Sequence, residues 1–252
     1  MNGKIETSIA NEIATISFSH PKGNSLPALL LTDLAEEITK QGNNEKIKCI
    51  ILKSEGSGPF CAGASFDELL NLQDEKSSID FFGGFAGVIL AMKNCPKFII
   101  VLVQGKTVGG GVGIAASADY CIATEDASIK LSELAIGIGP FVIEPAVKRK
   151  MGLAALTSLT LSPTEWKNAK WAMNHGLFQE VTSSLEEMEE RASNKAEEYC
   201  NYSQEATKSI KNMLWEDTQH WSTLLGDRAK ISGKLALSDT TQEALEKFRN
   251  RS

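Results

Sequence analysis

The strongest constraint on this chain lies between residues 98 and 119. Phe98-Ile99-Ile100-Val101-Leu102-Val103 is an unbroken apolar run rich in β-branched residues, which reads as a buried strand. Shortly after it comes Val108-Gly109-Gly110-Gly111-Val112-Gly113, then the small, helix-compatible residues Ile114 to Asp119. The order predicts strand, glycine turn and helix start. A helix start presents backbone N–H groups that lack intrahelical partners and carries a partial positive charge. Such a turn can hold an anion or a developing oxyanion. Three glycines also permit tight packing of a helix on a strand, and the stretch alone leaves both readings open.

The rest of the chain alternates strands and helices up to about residue 183. Residues 4–18 alternate apolar and polar around Asn11, the pattern of a hairpin. Leu30, Leu31, Leu34, Ala35 and Ile38 recur at helical spacing, predicting a helix over 26–41. Ile47 to Lys53 reads as a short buried strand. Phe60-Cys61-Ala62-Gly63-Ala64-Ser65 is a second glycine turn. Ser65 is a candidate N-cap there, with Glu68 three residues on as in a capping box. A helix is expected over 77–94, ending before Pro96. Strands are expected over 120–123 and 128–131. Ser132 to Pro140 reads as a loop, followed by helices over 143–151 and 153–161 and another from Pro163 that carries Trp166, Trp171 and Met173. From residue 184 the chain becomes all helical, over 184–200, 203–216, 218–231 and 238–250. The fold class is therefore α/β with a helical tail, divided as 1–183 and 184–252.

With 252 residues and a net charge of −6, the chain lacks the global basic footprint of a nucleic-acid binder. The five cysteines, Cys49, Cys61, Cys95, Cys121 and Cys200, have no paired spacing and read as reduced, buried thiols of a cytoplasmic protein. Cys61, beside a glycine turn, is the one candidate for reactivity. No secretory pattern opens the chain and no apolar run is long enough to cross a bilayer, so no membrane partner is expected. The three histidines are scattered without ligand spacing, and no metal is expected. The glycines do not fit the dinucleotide pattern, since position 114 is isoleucine.

Five segments, in order, resemble the crotonase family, the enoyl-CoA hydratase/isomerase superfamily. They are Pro21 to Leu26, Phe60 to Ser65, Gln104 to Gly113, Ala118 to Ala123 and Leu131 to Gly137. The resemblance implies a spiral of ββα turns followed by helices that assemble a homotrimer or a dimer of trimers. It implies an acyl-CoA thioester as substrate and no separate cofactor, coenzyme A being part of the substrate. It also implies that the backbone N–H groups of Ala64 and Gly110 bind the thioester oxygen, and that Glu133 is a catalytic acid/base. From spacing alone Glu133 reads as a solvated loop acid, and only the resemblance favours the catalytic role.

The chain departs from the hydratase pattern at Gly113, where hydratases of the family carry a second glutamate. A single carboxylate fits double-bond isomerisation by proton transfer better than hydration. Hydration by Glu133 alone, or with Glu144, is the alternative, and a catalytically silent acyl-CoA- or RNA-binding relative is another. Glu144 reads either as an auxiliary acid or as the cap of the helix starting near Pro145. Ser65 stands where relatives often carry aspartate. Ala62 and the turn Ser65, Phe66, Asp67 are candidate substrate contacts. Lys22 is either a contact for CoA phosphate or adenine, or an exposed loop lysine.

Overall fold

The computed structural model describes residues 3–249, with the side chain of Phe248 left aside. The chain runs through β1 (Lys4–Ala10), β2 (Ile13–Ser19), α1 (Ala28–Asn43), β3 (Cys49–Ser54), α2 (Phe66–Leu70) and α3 (Glu75–Asn94). It continues through β4 (Phe98–Val103), β5 (Lys106–Val108), α4 (Gly110–Ala116), β6 (Tyr120–Thr124) and β7 (Ser128–Lys130). After a short 3-10 helix (Glu133–Ile136) come α5 (Glu144–Leu161), β8 (Lys167–Asn168), α6 (Ala169–Asn174) and β9 (Glu180–Thr182). Four longer helices close the chain: α7 (Leu185–Cys200), α8 (Gln204–Leu214), α9 (Trp221–Ala236) and α10 (Asp239–Arg249). Residue 250, the expected end of the last helix, lies outside the described residues.

Two sheets organise these elements. The larger has the order β1-β2-β3-β4-β6-β9, with β1 antiparallel to β2 and every other pair parallel. The smaller is β5-β7-β8. Successive residues of a strand face opposite ways, and β3 and β4 use both faces. Ile50, Leu52, Ile99, Val101 and Val103 enter the main core with α1 and α3. Cys49, Ile51, Ile100 and Leu102 enter a second cluster with Met188, Ala192 and Ala196 of α7. The apolar runs are unbroken because each strand is covered on both sides. Helix α7, the start of the all-helical tail, is thus itself part of the core packing.

The tail is tied down by a buried charge. The Lys211 Nζ donates to Asp119 Oδ2 at 2.7 Å and to the Lys97 carbonyl at 2.8 Å, and both side chains are nearly inaccessible. The same carboxylate oxygen accepts the Ile99 amide at 2.8 Å. Beyond α8, Trp215 and Trp221 flank a break and meet edge to face at 5.6 Å.

The structure corrects two local expectations. Trp166 is not helical: it sits in the irregular stretch before β8, because Lys167 and Asn168 pair with β7 and the helix expected from Pro163 begins only at Ala169. Glu68 does not complete a capping box. Ser65 Oγ accepts the Glu68 amide, but the Glu68 carboxylate reaches across to accept the Ala28 amide at 2.8 Å, at the first turn of α1.

Removing one partner of a buried ion pair leaves the other uncompensated. Lys211→Met is expected to lower unfolding free energy by about 3–5 kcal/mol, measured by urea denaturation. A loss below about 1 kcal/mol would mean that Asp119 is satisfied without the lysine.

Candidate active site

Backbone bridges bring three distant segments together. Leu26 bridges Ala64 in parallel, through Leu26 N–H to the Gly63 carbonyl at 2.8 Å and Ser65 N–H to the Leu26 carbonyl at 3.2 Å. Cys61 bridges Thr107, with Val108 N–H donating to the Cys61 carbonyl at 2.9 Å. Asn24 reinforces the first bridge by donating from its side chain to the carbonyls of Glu55 and Pro59. The two glycine turns are therefore stitched to each other through β5. Gly111 permits this, since a Cβ there would lie 2.7 Å from the Cβ of Cys61.

The next link runs from β5 to β7. Val108 pairs with Lys130, and Gly109 N–H donates to the Lys130 carbonyl at 2.9 Å. Three residues later the chain reaches Glu133 at the start of the 3-10 helix. Gly137, left-handed at φ +82°, ends that helix, and Thr241 of α10 donates to its carbonyl at 3.1 Å. The tail thus fixes the loop that carries Glu133.

These elements surround a cavity of about 400 Å³. Ala62, Ala64, Phe66, Gly110 and Glu133 all line it, so five of the residues singled out from sequence are brought together. Among the described residues, neither the Ala64 nor the Gly110 N–H donates to another group. Gly110 is the first residue of α4, where no intrahelical acceptor exists. At the Leu26 bridge the neighbours of Ala64 make the hydrogen bonds, leaving its own N–H turned the other way. Aromatic and aliphatic side chains, among them Phe81, Phe82, Phe85, Phe141 and Ile143, make up the walls.

Glu133 is the one carboxylate lining the cavity among the described residues. Its Oε2 is shut off from solvent and has no hydrogen-bond partner among the described residues. Burial raises its pKa to about 7, partly opposed by a hydrogen bond from its own amide. Gly109 sets its place. The φ of +52° suits glycine, and a Cβ there would lie 2.7 Å from Glu133 Oε1. The carboxylate packs against a bare backbone.

Four other sequence candidates lie away from the cavity wall. Ser65 is spent capping α2. Lys22 and Asp67 form an exposed ion pair with each other. Glu144 opens α5 and its carboxylate turns to Arg228 at 3.4 Å and Lys148 at 3.9 Å. All five cysteines are buried, and burial holds the Cys61 thiol up at about 12, which leaves it inert.

With this arrangement in view, comparison with known proteins is decisive. A family model described as enoyl-CoA hydratase/isomerase matches residues 8–251. The chain belongs to the enoyl-CoA hydratase/isomerase family. A Bacillus subtilis protein named a probable enoyl-CoA hydratase is 25% identical over 246 residues, 97% of this chain and 95% of its own. A hexahydro-1H-indene-carboxyl-CoA hydrolase of Mycobacterium tuberculosis is 32% identical over 125 residues, about half of either chain. Among solved structures, an enoyl-CoA hydratase from Bacillus halodurans superposes with a TM-score of 0.90, at 23% identity, over 96% of this chain and 99% of that one. The fold is thus that of the enoyl-CoA hydratase/isomerase family, and the ββα core with its helical tail is as expected.

Within that family fold, Gly113 is not an open position. A Cβ at Gly113 would lie 2.5 Å from Ile143 Cγ2 and 2.8 Å from its Cβ. Ile143 fills the space that a second acidic side chain would need. Sequence reading found the missing acid but not its replacement, because residues 113 and 143 meet only in three dimensions. Phe85 was missed for the same reason: a Cβ on Gly110 would lie 2.2 Å from its ring.

A carboxyl whose folded pKa is raised loses stability as pH climbs from its unfolded value, near 4.5, through about 7. Glu133→Gln removes that loss. The variant is expected to match the wild type near pH 4 and to exceed it above pH 7, by up to about 3 kcal/mol in urea denaturation. Equal stabilities at both pH values would show a solvated carboxylate.

Proposed function

We propose that this chain isomerises the double bond of an enoyl-CoA thioester by moving one proton with Glu133. The observation that carries the reading is that one carboxylate faces the cavity while Ile143 occupies the space beside Gly113. Hydration needs a water both held and activated, and among the described residues no other carboxylate lines the wall. Isomerisation needs a single base that can reach two carbons of one chain.

In this reading the thioester carbonyl lies between the N–H groups of Ala64 and Gly110. Ionised Glu133 takes a proton from the carbon alpha to the carbonyl of a 3-enoyl thioester. The electron pair moves into a dienolate, and negative charge gathers on the carbonyl oxygen. Two fixed amide dipoles stabilise that oxygen without rearranging. Glu133, now protonated, returns the proton to the gamma carbon and yields the 2-enoyl thioester. A carboxyl with a pKa near 7 suits both halves of the cycle, since it neither holds nor refuses the proton strongly. The apolar walls that raise its pKa also exclude water from the dienolate. Hydration, the activity in the name of the Bacillus subtilis relative, is the second reading, with Glu133 as its acid/base. Assembly as a homotrimer or dimer of trimers belongs to the same proposal. The exposed Leu153, Leu161, Met213 and Leu214 offer apolar surface for it.

The test is to assay cis-3-, trans-3- and trans-2-enoyl-CoAs while following isomerisation and hydration separately. Isomerisation is expected to exceed hydration, and Glu133→Gln is expected to lower it about 10²–10⁴-fold. Faster hydration of the trans-2 substrate than isomerisation of either 3-enoyl substrate would favour the second reading. Because the base must be ionised, kcat/KM is expected to rise with pH and level off above about 7. A flat profile from pH 5 to 9 would remove Glu133 from the proton transfer.

A further inference from the structure

We propose that Lys130, Lys106 and Trp166 form a cationic subsite at the rim of the cavity that binds an anionic group of the substrate. The group is a carboxylate on the acyl part or a phosphate of the CoA carrier. This inference rests on the thioester reading above.

The small sheet builds the cluster. Lys130 pairs with Val108 across β5 and β7, and Lys106, two residues before Val108, shares its face. Lys167 pairs with Ile129 across β7 and β8, which brings Trp166 alongside Lys130. The Nζ of Lys130 lies 4.5 Å from the centre of the Trp166 ring, and that of Lys106 lies 5.4 Å from it. Lys130 also lines the cavity beside Val108 and Glu133. Lys106 and Trp166 are exposed, so the three residues stand where the cavity meets solvent.

Packing alone does not explain the pair. One lysine would cover the ring, whereas two like charges on one sheet face repel. Glu165, next to Trp166, is paired with Lys167 at 2.9 Å, and among the described residues neither Lys106 nor Lys130 forms an ion pair, not even with Glu133 of the same cavity. Burial, and then Lys106, pull the ammonium of Lys130 below its ordinary pKa, and no carboxylate among the described residues offsets them. The fold keeps two uncompensated ammonium groups at the mouth of an otherwise apolar cavity. An anion on the ligand supplies the missing charge and forms charge-assisted hydrogen bonds with both.

The test measures binding rather than turnover, by calorimetry at low salt with three unreactive thioethers. They are S-alkyl-CoA, S-alkyl-pantetheine, which carries no phosphate, and S-(carboxyalkyl)-CoA. In the double variant Lys106→Gln/Lys130→Gln, about a tenfold loss of affinity is expected for each ligand bearing the recognised group. Loss on both CoA ligands, with pantetheine unchanged, assigns the subsite to a phosphate. Loss confined to the carboxyalkyl ligand assigns it to the acyl carboxylate. Lys106→Arg/Lys130→Arg is expected to retain affinity, and so is Lys208→Gln on the exposed face of α8. Unchanged affinity for all three ligands, or an equal loss that includes S-alkyl-pantetheine, would overturn the subsite while leaving the thioester reading intact. Failure of the wild type to bind either CoA ligand would overturn both.

Discussion

The architecture of this site depends on one short backbone contact, the bridge between Cys61 and Thr107. Each glycine turn belongs to its own strand–turn–helix unit and has no local reason to lie near the other. The bridge joins them, and the close approach at Gly111 leaves no room for a side chain between them. Leu26 at one end and Lys130 at the other extend the same ladder, and three of its four segments, around Ala64, Val108 and Lys130, line one cavity. Main-chain groups held by main-chain hydrogen bonds suit preorganisation, because they have no rotamer freedom to lose.

Electrostatically the cavity is simple. Its walls are mostly apolar with Lys130 at the rim, and among the described residues a single carboxylate is buried in them with one oxygen unpartnered. A buried, unsatisfied carboxylate is unfavourable for folding, and the surrounding structure imposes it. Gly109 offers a bare backbone to pack against, and Thr241 holds the end of the 3-10 helix from the tail. Such local cost is concentrated where chemistry requires it. The tail is consequently more than an attachment: α7 closes one face of the sheet, Lys211 of α8 neutralises Asp119, and α10 steadies the Glu133 loop.

Much of the fold was legible because its signals are local. The buried strands, the glycine turns, the Ser65 cap and the order of helices all follow from periodicity and capping chemistry. Within the cavity, Ala62, Ala64, Phe66, Gly110 and Glu133 carried their motifs with them. What stayed hidden arises between distant residues. No pattern near Gly113 announces Ile143, and nothing near Gly110 announces Phe85. The Glu68 carboxylate chose the amide of Ala28 over its own helix because the Leu26–Ala64 bridge brings the start of α1 close. Trp166 left the expected helix because a two-residue strand pairs with β7. Glu144 was ambiguous in sequence, and Arg228, 84 residues away, resolves its direction.

The central claim is that the amides of Ala64 and Gly110 meet on one carbonyl oxygen. Infrared difference spectroscopy of an enoyl-CoA carrying a carbon-13 label at the thioester carbonyl measures this directly. Two donors on that oxygen weaken the C=O bond, so its stretching band should move to lower frequency on binding than in water, and the shift should shrink in Gly110→Ala. A bound band at the aqueous frequency, unaltered by that substitution, would contradict it.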